Sequence, residues 1–276
     1  VARHWRGKWH WARHPNQPIL WTLPEGGTLA LWPKHSFTTC FWPAIEAYEP
    51  DVQAIFRRYI KPGMTVLDGG ANVGFFSLLA GRLAGPQGRV ISIEANPVTC
   101  ELLRENLRRN SLGEPLQIAL SSSEKEVELW APSGWDVYST LSRNDAIKEK
   151  RENSVSFIMQ AKSLDALVTE LNLSSVDFIK LDIEGAELDV LRSGRETLRR
   201  FRPLLTMEYG AKTWANFGAS FEEFQQLMTE LNYKVWKYNW QYGFPQPLPP
   251  ETRSAIYTNL LLAPSECDIL STNKGK

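Results

Sequence analysis

The sequence predicts an α/β fold, a mostly parallel sheet with helices on both faces. Three observations carry this. From Met64 onward, short runs rich in Val, Ile and Leu alternate with longer amphipathic stretches, the pattern of strand–helix units. The first run, Thr65-Val66-Leu67, ends at Asp68 and passes through Gly69-Gly70-Ala71-Asn72-Val73-Gly74 into an apolar helix. Such a turn suits a nucleotide-type ligand, because glycines let the backbone approach and the helix start offers unpaired N–H groups. The strands also close on acids, at Asp68, Glu94, Asp182 and Glu208. Burying a carboxylate costs free energy unless it meets a donor or a cation, and ligands of open sheets bind beyond the carboxyl ends of the strands.

In chain order, residues 1–15 carry Arg3, Arg6, Lys8 and Arg13 with no acid, interleaved with Trp5, Trp9 and Trp11 and with His4, His10 and His14. This segment reads either as an arm for an anionic surface, or a metal site with His10 and His14 one helical turn apart, or as a terminus packed by its tryptophans. The last is favoured, since no carboxylate or Cys completes a ligand set. Ile19–Trp21 and Thr28–Trp32 flank Glu25-Gly26-Gly27 as a hairpin. Tyr48-Glu49-Pro50-Asp51 opens a helix with Val52, Ile55, Phe56 and Tyr59 inward and Asp51 as N-cap, stopped by Lys61-Pro62-Gly63.

The next helix is expected over about 73–84, with Asn72 as N-cap. A second strand, Arg89–Glu94, leads to Asn96 as N-cap and Pro97 at the first helical position, and a third strand covers Leu116–Ser121. Glu126–Trp130 and Ser154–Gln160 read as a strand pair around a polar loop, 131–153, and Ser163 starts a short helix. A fourth strand, Val176–Asp182, precedes a helix from about Gly185 to Gly194, and a fifth covers Pro203–Glu208. Ser220 and Glu223 form a capping-box signature. Tyr233–Tyr238 and Thr258–Ala263, joined by a proline-rich connection (Pro245–Pro250), close the sheet as an antiparallel pair, and a loose tail follows Pro264.

The totals bound the function. At 276 residues the chain holds one large domain with an appended segment. Formal net charge is zero, so no overall field points to nucleic acid. No run of about 18 apolar residues exists to span a membrane. Cys40, Cys100 and Cys267 are odd in number and far apart, which argues against a disulfide framework and fits a reducing cytoplasm. No signal peptide is visible, and the start at Val1 without a Met leaves room for upstream residues.

The chemistry lies at the strand ends. Glu94, 20 residues after Gly74, stands where an acid can accept both ribose hydroxyls of an adenosine, or alternatively where the following helix start favours a carboxylate. A dinucleotide fingerprint wants Gly-x-Gly-x-x-Gly, which the turn does not match, and Asp68 would repel a pyrophosphate. Asp68 suits the ammonium and sulfonium of S-adenosylmethionine (SAM). The motifs Asp68–Gly74, Glu94-Ala95-Asn96-Pro97, Leu120-Ser121 and Lys180-Leu181-Asp182-Ile183-Glu184-Gly185-Ala186-Glu187, with Tyr48-Glu49-Pro50 ahead of them, resemble the FkbM-type SAM-dependent methyltransferases over roughly residues 45–210. Gly69 departs from the family, which usually has a branched apolar residue there.

The resemblance implies a Rossmann-like class I methyltransferase fold: a mostly parallel seven-stranded sheet with helices on both faces and a closing antiparallel hairpin. The chain would divide into an N-terminal extension (1–50), a methyltransferase domain (51–264) and a tail (265–276). It also implies SAM as cofactor, with Asp68, Gly69, Gly70, Ala71, Asn72 and Gly74 holding its methionine part, Glu94, Ala95 and Asn96 its ribose, and Leu120 and Ser121 its adenine. Asp182 lies beside the reacting methyl group, and the acceptor is a hydroxyl on a sugar, glycolipid or polyketide-like product. Catalytic candidates are Asp182, Glu208, Glu184 and Lys180, with Lys180 alternatively a buried ion-pair partner and Glu184 and Glu187 alternatively helix-start acids. Asp182 and Glu208 could instead share a divalent ion. The N-terminal segment, the 131–153 loop and the aromatic cluster of Trp214, Phe217, Trp236, Trp240 and Tyr242 are candidates to recognise the acceptor. The alternatives are a nucleotide-dependent oxidoreductase, an RNA or protein methyltransferase gripping with the basic arm, and a non-catalytic SAM binder.

Overall fold

A computed structural model of the chain describes residues 10–33, 35, 38, 42–122, 124–132, 139–141, 154–239, 241 and 243–270. The basic arm up to Trp9, Cys40, most of the 131–153 loop, Trp240 and Tyr242 lie outside the described residues.

The chain opens with the antiparallel hairpin of β1 (Ile19–Thr22) and β2 (Thr28–Leu31). After a 3-10 turn (Trp42–Ala47) come α1 (Pro50–Tyr59), β3 (Thr65–Gly69), α2 (Phe75–Ala84), β4 (Arg89–Ile93) and α3 (Pro97–Arg109). Then follow β5 (Ala119–Leu120), β6 (Glu126–Pro132), β7 (Ser154–Lys162), α4 (Leu164–Glu170), β8 (Phe178–Leu181), α5 (Glu187–Ser193), α6 (Arg195–Phe201) and β9 (Leu204–Tyr209). The chain ends through α7 (Ala211–Asn216), α8 (Phe221–Glu230), β10 (Tyr233–Asn239), β11 (Phe244–Pro247) and β12 (Thr258–Pro264).

Seven strands form the main sheet in the order β11-β10-β12-β9-β8-β3-β4. Strands β4, β3, β8 and β9 run parallel, and β12 is antiparallel to both β9 and β10. Side chains alternate across this sheet as pleating requires. Leu67, Ile179, Leu205, Leu260 and Leu262 enter one core with α4, α5, α6 and α8. Val66, Phe178 and Leu261 enter the other with α1, α2 and α3. That second core also takes Leu23, Leu29, Leu31 and Ile45, so the N-terminal hairpin shares a core with the helices. It is tied down by α3: Asn106 and Asn110 each exchange hydrogen bonds with the hairpin backbone, Asn106 with Ala30 (2.7 and 3.2 Å) and Asn110 with Thr28 (2.8 Å both ways).

Several expectations need correction. The third strand, expected over Leu116–Ser121, touches the main sheet only through a bridge from Leu116 to Ile93. Ala119-Leu120 turns away to pair with β7, which also pairs with β6 in a separate three-stranded sheet. The seventh place in the main sheet goes to β11, inside the expected proline-rich connection. Pro245 and Pro247 lack an N–H, and an edge strand tolerates that. The helix expected from Asn72 starts two residues later, with Gly74 as N-cap at φ 97°, and the N-cap position of α1 falls on Glu49 at φ 41°, whose side chain makes no capping bond, rather than on Asp51. The tail is not loose as far as residue 270: Ile269 is buried, its carbonyl accepts from the Tyr59 hydroxyl, and Arg202 pairs with Glu266.

Candidate functional site

The strand order reverses at β3, which lies between β4 and β8 although the chain runs from β3 to β4 before reaching β8. A cavity of about 160 Å³ opens beyond the carboxyl ends of the strands at this switch point. The glycine turn shapes its floor. Gly70 (φ 73°) and Ala71 both donate to the Ile93 carbonyl, at 3.0 and 2.9 Å. A Cβ on Gly70 would fall 1.8 Å from the Asp182 carbonyl oxygen, so the backbones after β3 and β8 pass too closely for any side chain there. Gly74 lets α2 approach α3, since its Cβ would meet Leu103 Cδ1 at 2.8 Å.

Glu94 forms the wall beside the turn. One carboxylate oxygen accepts from the Asn72 N–H and the other from the Asn96 N–H, both at 2.8 Å. Burial pushes this carboxyl up to about 7, against the lowering effect of those two bonds. Asn96 caps α3 through bonds from Val98 and Thr99, and Pro97 opens that helix as expected. Ile118, Ala119 and Leu120 bring an apolar strip to the same wall.

Across the cavity the acids are held differently. Lys180 is buried, its ammonium 3.1 Å from Asp182, 3.6 Å from Asp68 and 3.3 Å from the Gly70 carbonyl. Burial alone would lower its pKa; Asp182, Asp68 and Glu49 outweigh that and raise it. Asp68 is wholly enclosed, and Ser77 donates to it at 2.6 Å. Burial, and then the Asp182 charge, raise both Glu208 and Glu49, the latter to about 8. Glu184 sits at φ 56° in the turn after β8. That turn is clamped by Glu187, which accepts from Ile183 (2.9 Å), Gly185 (3.3 Å) and the Trp214 indole (3.0 Å); burial raises its carboxyl to about 7.

Among the residues read from sequence, Gly70, Asn72, Glu94, Ala95, Leu120, Asp182, Glu184 and Glu208 line the cavity. Gly69, Ala71, Gly74 and Asn96 shape its wall without lining it. Asp68 and Lys180 stand behind it as an ion pair, so the charge assigned to Asp68 for an incoming ligand is met internally. Ser121 does not line it; its carbonyl accepts from Ser193. The aromatic cluster is not brought there either. Trp214 is enclosed in the core, Phe217 packs on Gly185, Trp236 belongs to the second core, and Trp240 and Tyr242 are outside the described residues. Of the 131–153 loop, Ser139 and Leu141 line the cavity, and so do Tyr48 and Glu49, which sequence reading left without a role although the Tyr-Glu-Pro resemblance marked them. Ile118 and Ala119 were missed because the strand carrying them was expected to stay in the main sheet. Among the described residues no group of three His, Cys, Asp or Glu is placed to hold a metal ion, so Asp182 and Glu208 lack a third ligand. Among the described residues no helix is long and apolar enough to cross a membrane.

Comparison with known proteins identifies the family. The family model of the methyltransferase FkbM domain matches residues 68–235. The chain is 28% identical over 163 residues to the AMB antimetabolite synthetase AmbE of Pseudomonas aeruginosa, a match covering 48% of this chain and 8% of that protein. It is 26% identical over 157 residues to the 2-O-methyltransferase NoeI of Sinorhizobium fredii (53% of this chain, 63% of that protein). With the methyltransferase sdnD of Sordaria araneosa it shares 30% over 153 residues (46% and 59%). The matches thus span less than two thirds of each of these relatives. Among solved structures, methyltransferase FkbM from Methylobacillus flagellatus superposes with a TM-score of 0.46 at 14% identity, over 83% of this chain and 60% of that one. The family match covers more than half of the sequence: the chain belongs to the FkbM methyltransferase domain family, a family of SAM-dependent methyltransferases.

Proposed function

We propose that this FkbM-family chain is an O-methyltransferase that uses SAM to methylate a hydroxyl on a sugar, glycolipid or natural-product-like acceptor. One observation carries the reading: Glu49, Glu94, Asp182, Glu184 and Glu208 line the cavity, and among the described residues no Lys or Arg lines it. Such a wall offers a pyrophosphate no cation and favours a ligand bearing an ammonium and a sulfonium, whose positive charge would draw the raised carboxyls into their ionised form. The residues fit SAM. The Gly69–Gly74 turn would hold its methionine part, with Gly70 kept free of a side chain; Glu94, its oxygens anchored on two N–H groups, would receive the ribose, and Ile118, Ala119 and Leu120 would flank the adenine.

Bound there, SAM supplies a methyl group activated on sulfur. The protein must align the acceptor oxygen, take its proton and exclude water. Asp182 and Glu184, from the turn after β8, and Glu208, from β9, line the same cavity and would orient a hydroxyl, with Lys180 3.1 Å from Asp182 to fix it. The name of NoeI, a 2-O-methyltransferase, supports the hydroxyl class. A screen with methyl-labelled SAM over sugars, glycolipids and aglycones, with magnesium or with EDTA, tests the reading. Label in an acceptor hydroxyl is expected; tight NAD binding without SAM binding would refute it.

A further inference from the structure

Among the described residues, seven other than glycine have a positive φ: Glu49, Asn72, Ser111, Asn172, Glu184, Arg202 and Asn232. Four of them follow the ends of α3, α4, α6 and α8, where a left-handed residue is an ordinary way to finish a helix. The other three, Glu49, Asn72 and Glu184, all line the cavity. A side chain in this conformation costs free energy, and such residues persist where their surroundings enforce them, often at functional sites.

Asn72 and Glu184 have a local explanation. Asn72 bonds Glu94 through its N–H and the Val73 N–H through its side chain, and Glu184 rides in the turn clamped by Glu187. Glu49 is enforced from further away. Gln53 donates from its side chain to the Tyr48 carbonyl (2.5 Å) and from its backbone to the Glu49 carbonyl (3.0 Å). Pro50 fixes the first helical position, and Asp51 accepts from Asn259 of β12 at 3.1 Å. The consequence of this bracing is that Glu49 enters the cavity. The charged and titratable groups around it are Tyr48, which hydrogen-bonds it, Asp51 of α1, Lys180 of β8, Asp182 just after β8, and Glu208 of β9. Lys180 is already committed to Asp182, Asp68 and the Gly70 carbonyl.

From this geometry, and resting on the hydroxyl reading above, we infer that Glu49 takes the acceptor's proton, while Asp182, fixed by Lys180, positions the acceptor. The acceptor O–H bond breaks and its proton goes to a Glu49 carboxylate oxygen. The oxygen's electron pair forms the new bond to the methyl carbon, and the carbon–sulfur pair stays on sulfur, leaving a neutral thioether. Glu49 then releases the proton to solvent. Burial and the Asp182 charge, which raise this carboxyl to about 8, make it a stronger base than an ordinary carboxylate.

The test pairs turnover with a measurement that needs no acceptor. Glu49→Gln should still bind SAM by calorimetry, within a few-fold of the wild type because four other acids line the cavity, with KM for the acceptor little changed and kcat lower by about 10²- to 10⁴-fold. Glu49→Asp should recover part of that loss with a shifted acid limb in the kcat–pH profile. In difference infrared pH titrations of the SAM-bound protein, Glu49→Gln should lose one of the carboxyl bands that titrate near or above neutrality, those of Glu94, Glu187 and Glu208 remaining, whereas Asp182→Asn should keep all of them with the Glu49 band moved to lower pH. Wild-type kcat in Glu49→Gln, or a set of raised carboxyl bands that Glu49→Gln leaves complete, would overturn the assignment. Hydroxyl methylation at the wild-type rate in Glu49→Gln sinks this inference alone; a wild type that methylates only groups with no proton to lose sinks it together with the hydroxyl reading.

Discussion

The two ends of the cavity hold their acids in opposite ways. At the turn end, Glu94 is bonded on both oxygens by backbone N–H groups, and the turn itself is pinned to Ile93. At the other end, Glu49, Asp182, Glu184 and Glu208 converge from three separate segments, and the ammonium among them, Lys180, stands behind the wall. The first arrangement is preorganised and spends its charge on structure. The second compensates Asp182 through Lys180 and brings more carboxyls to the cavity than that one ammonium can balance, the condition for drawing in a cation and for accepting a proton. Building a donor site is a backbone problem here, and building a reaction site is a problem of bringing distant side chains together.

The comparison can be broken most forcefully at Gly70, where the two ends touch. Gly70→Ala would place a Cβ 1.8 Å from the Asp182 carbonyl at a left-handed φ; a loss on the order of 3 kcal/mol or more is expected, read as a collapse of the melting temperature with SAM binding abolished. Wild-type stability in this variant would mean the two backbones are not held so close.

Next is Glu94→Ala, which strands two N–H groups at a cost of about 1–3 kcal/mol each. It should weaken SAM binding by roughly 10- to 100-fold, the scale of a lost charged hydrogen-bond pair. Asp182→Asn, at the other end, should bind SAM normally and lose turnover; full activity would remove Asp182 from the site.

A smaller effect separates buried acids by pH. Burial raises Glu94 and Glu187 from about 4.5 to about 7 in the folded protein. The native state therefore holds protons that the unfolded chain has already released between those values, so this stabilisation is complete below about pH 4.5 and is lost as pH rises through about 7. The ligand-free protein should melt lower at pH 8 than at pH 5.5, by an amount on the order of 1–3 kcal/mol, with a shallower slope in Glu187→Gln. Stability that rises across this window would contradict the assignment. The smallest effect is expected at Gly69, whose added Cβ would meet only the ends of Leu120 (2.9 Å) and Leu181 (3.1 Å) besides the Lys180 carbonyl at 3.2 Å. Gly69→Ala should cost about 1 kcal/mol or less by chemical denaturation and leave SAM affinity in place.

The same contrast explains what could be read from the residues alone. The turn, the Asn96 cap with Pro97, the Ser163 cap and the Ser220–Glu223 capping box are local, so their spacing announces them. The ion pair of Lys180 with Asp68 and Asp182 was anticipated only in part, because it depends on β3 and β8 being neighbours with Asp68 opposite Lys180. Glu49 carries no local signal of its role: as a helix-start residue it looks like a cap, and only the packing of α1 against the sheet, with Gln53 and Asn259 bracing it, turns it into the cavity. The path of residues 116–120 depends on β7, more than thirty residues further on, which no window around Leu120 contains.

The central claim is that the turn end binds the methyl donor and the acidic end carries the reaction. Calorimetric titration of SAM into the wild type, Glu94→Ala and Asp182→Asn tests it most directly. The account predicts one SAM per chain in the wild type, an affinity roughly 10- to 100-fold weaker in Glu94→Ala, and wild-type affinity in Asp182→Asn. Equal affinity in the wild type and Glu94→Ala, or SAM binding lost in Asp182→Asn alone, would contradict it.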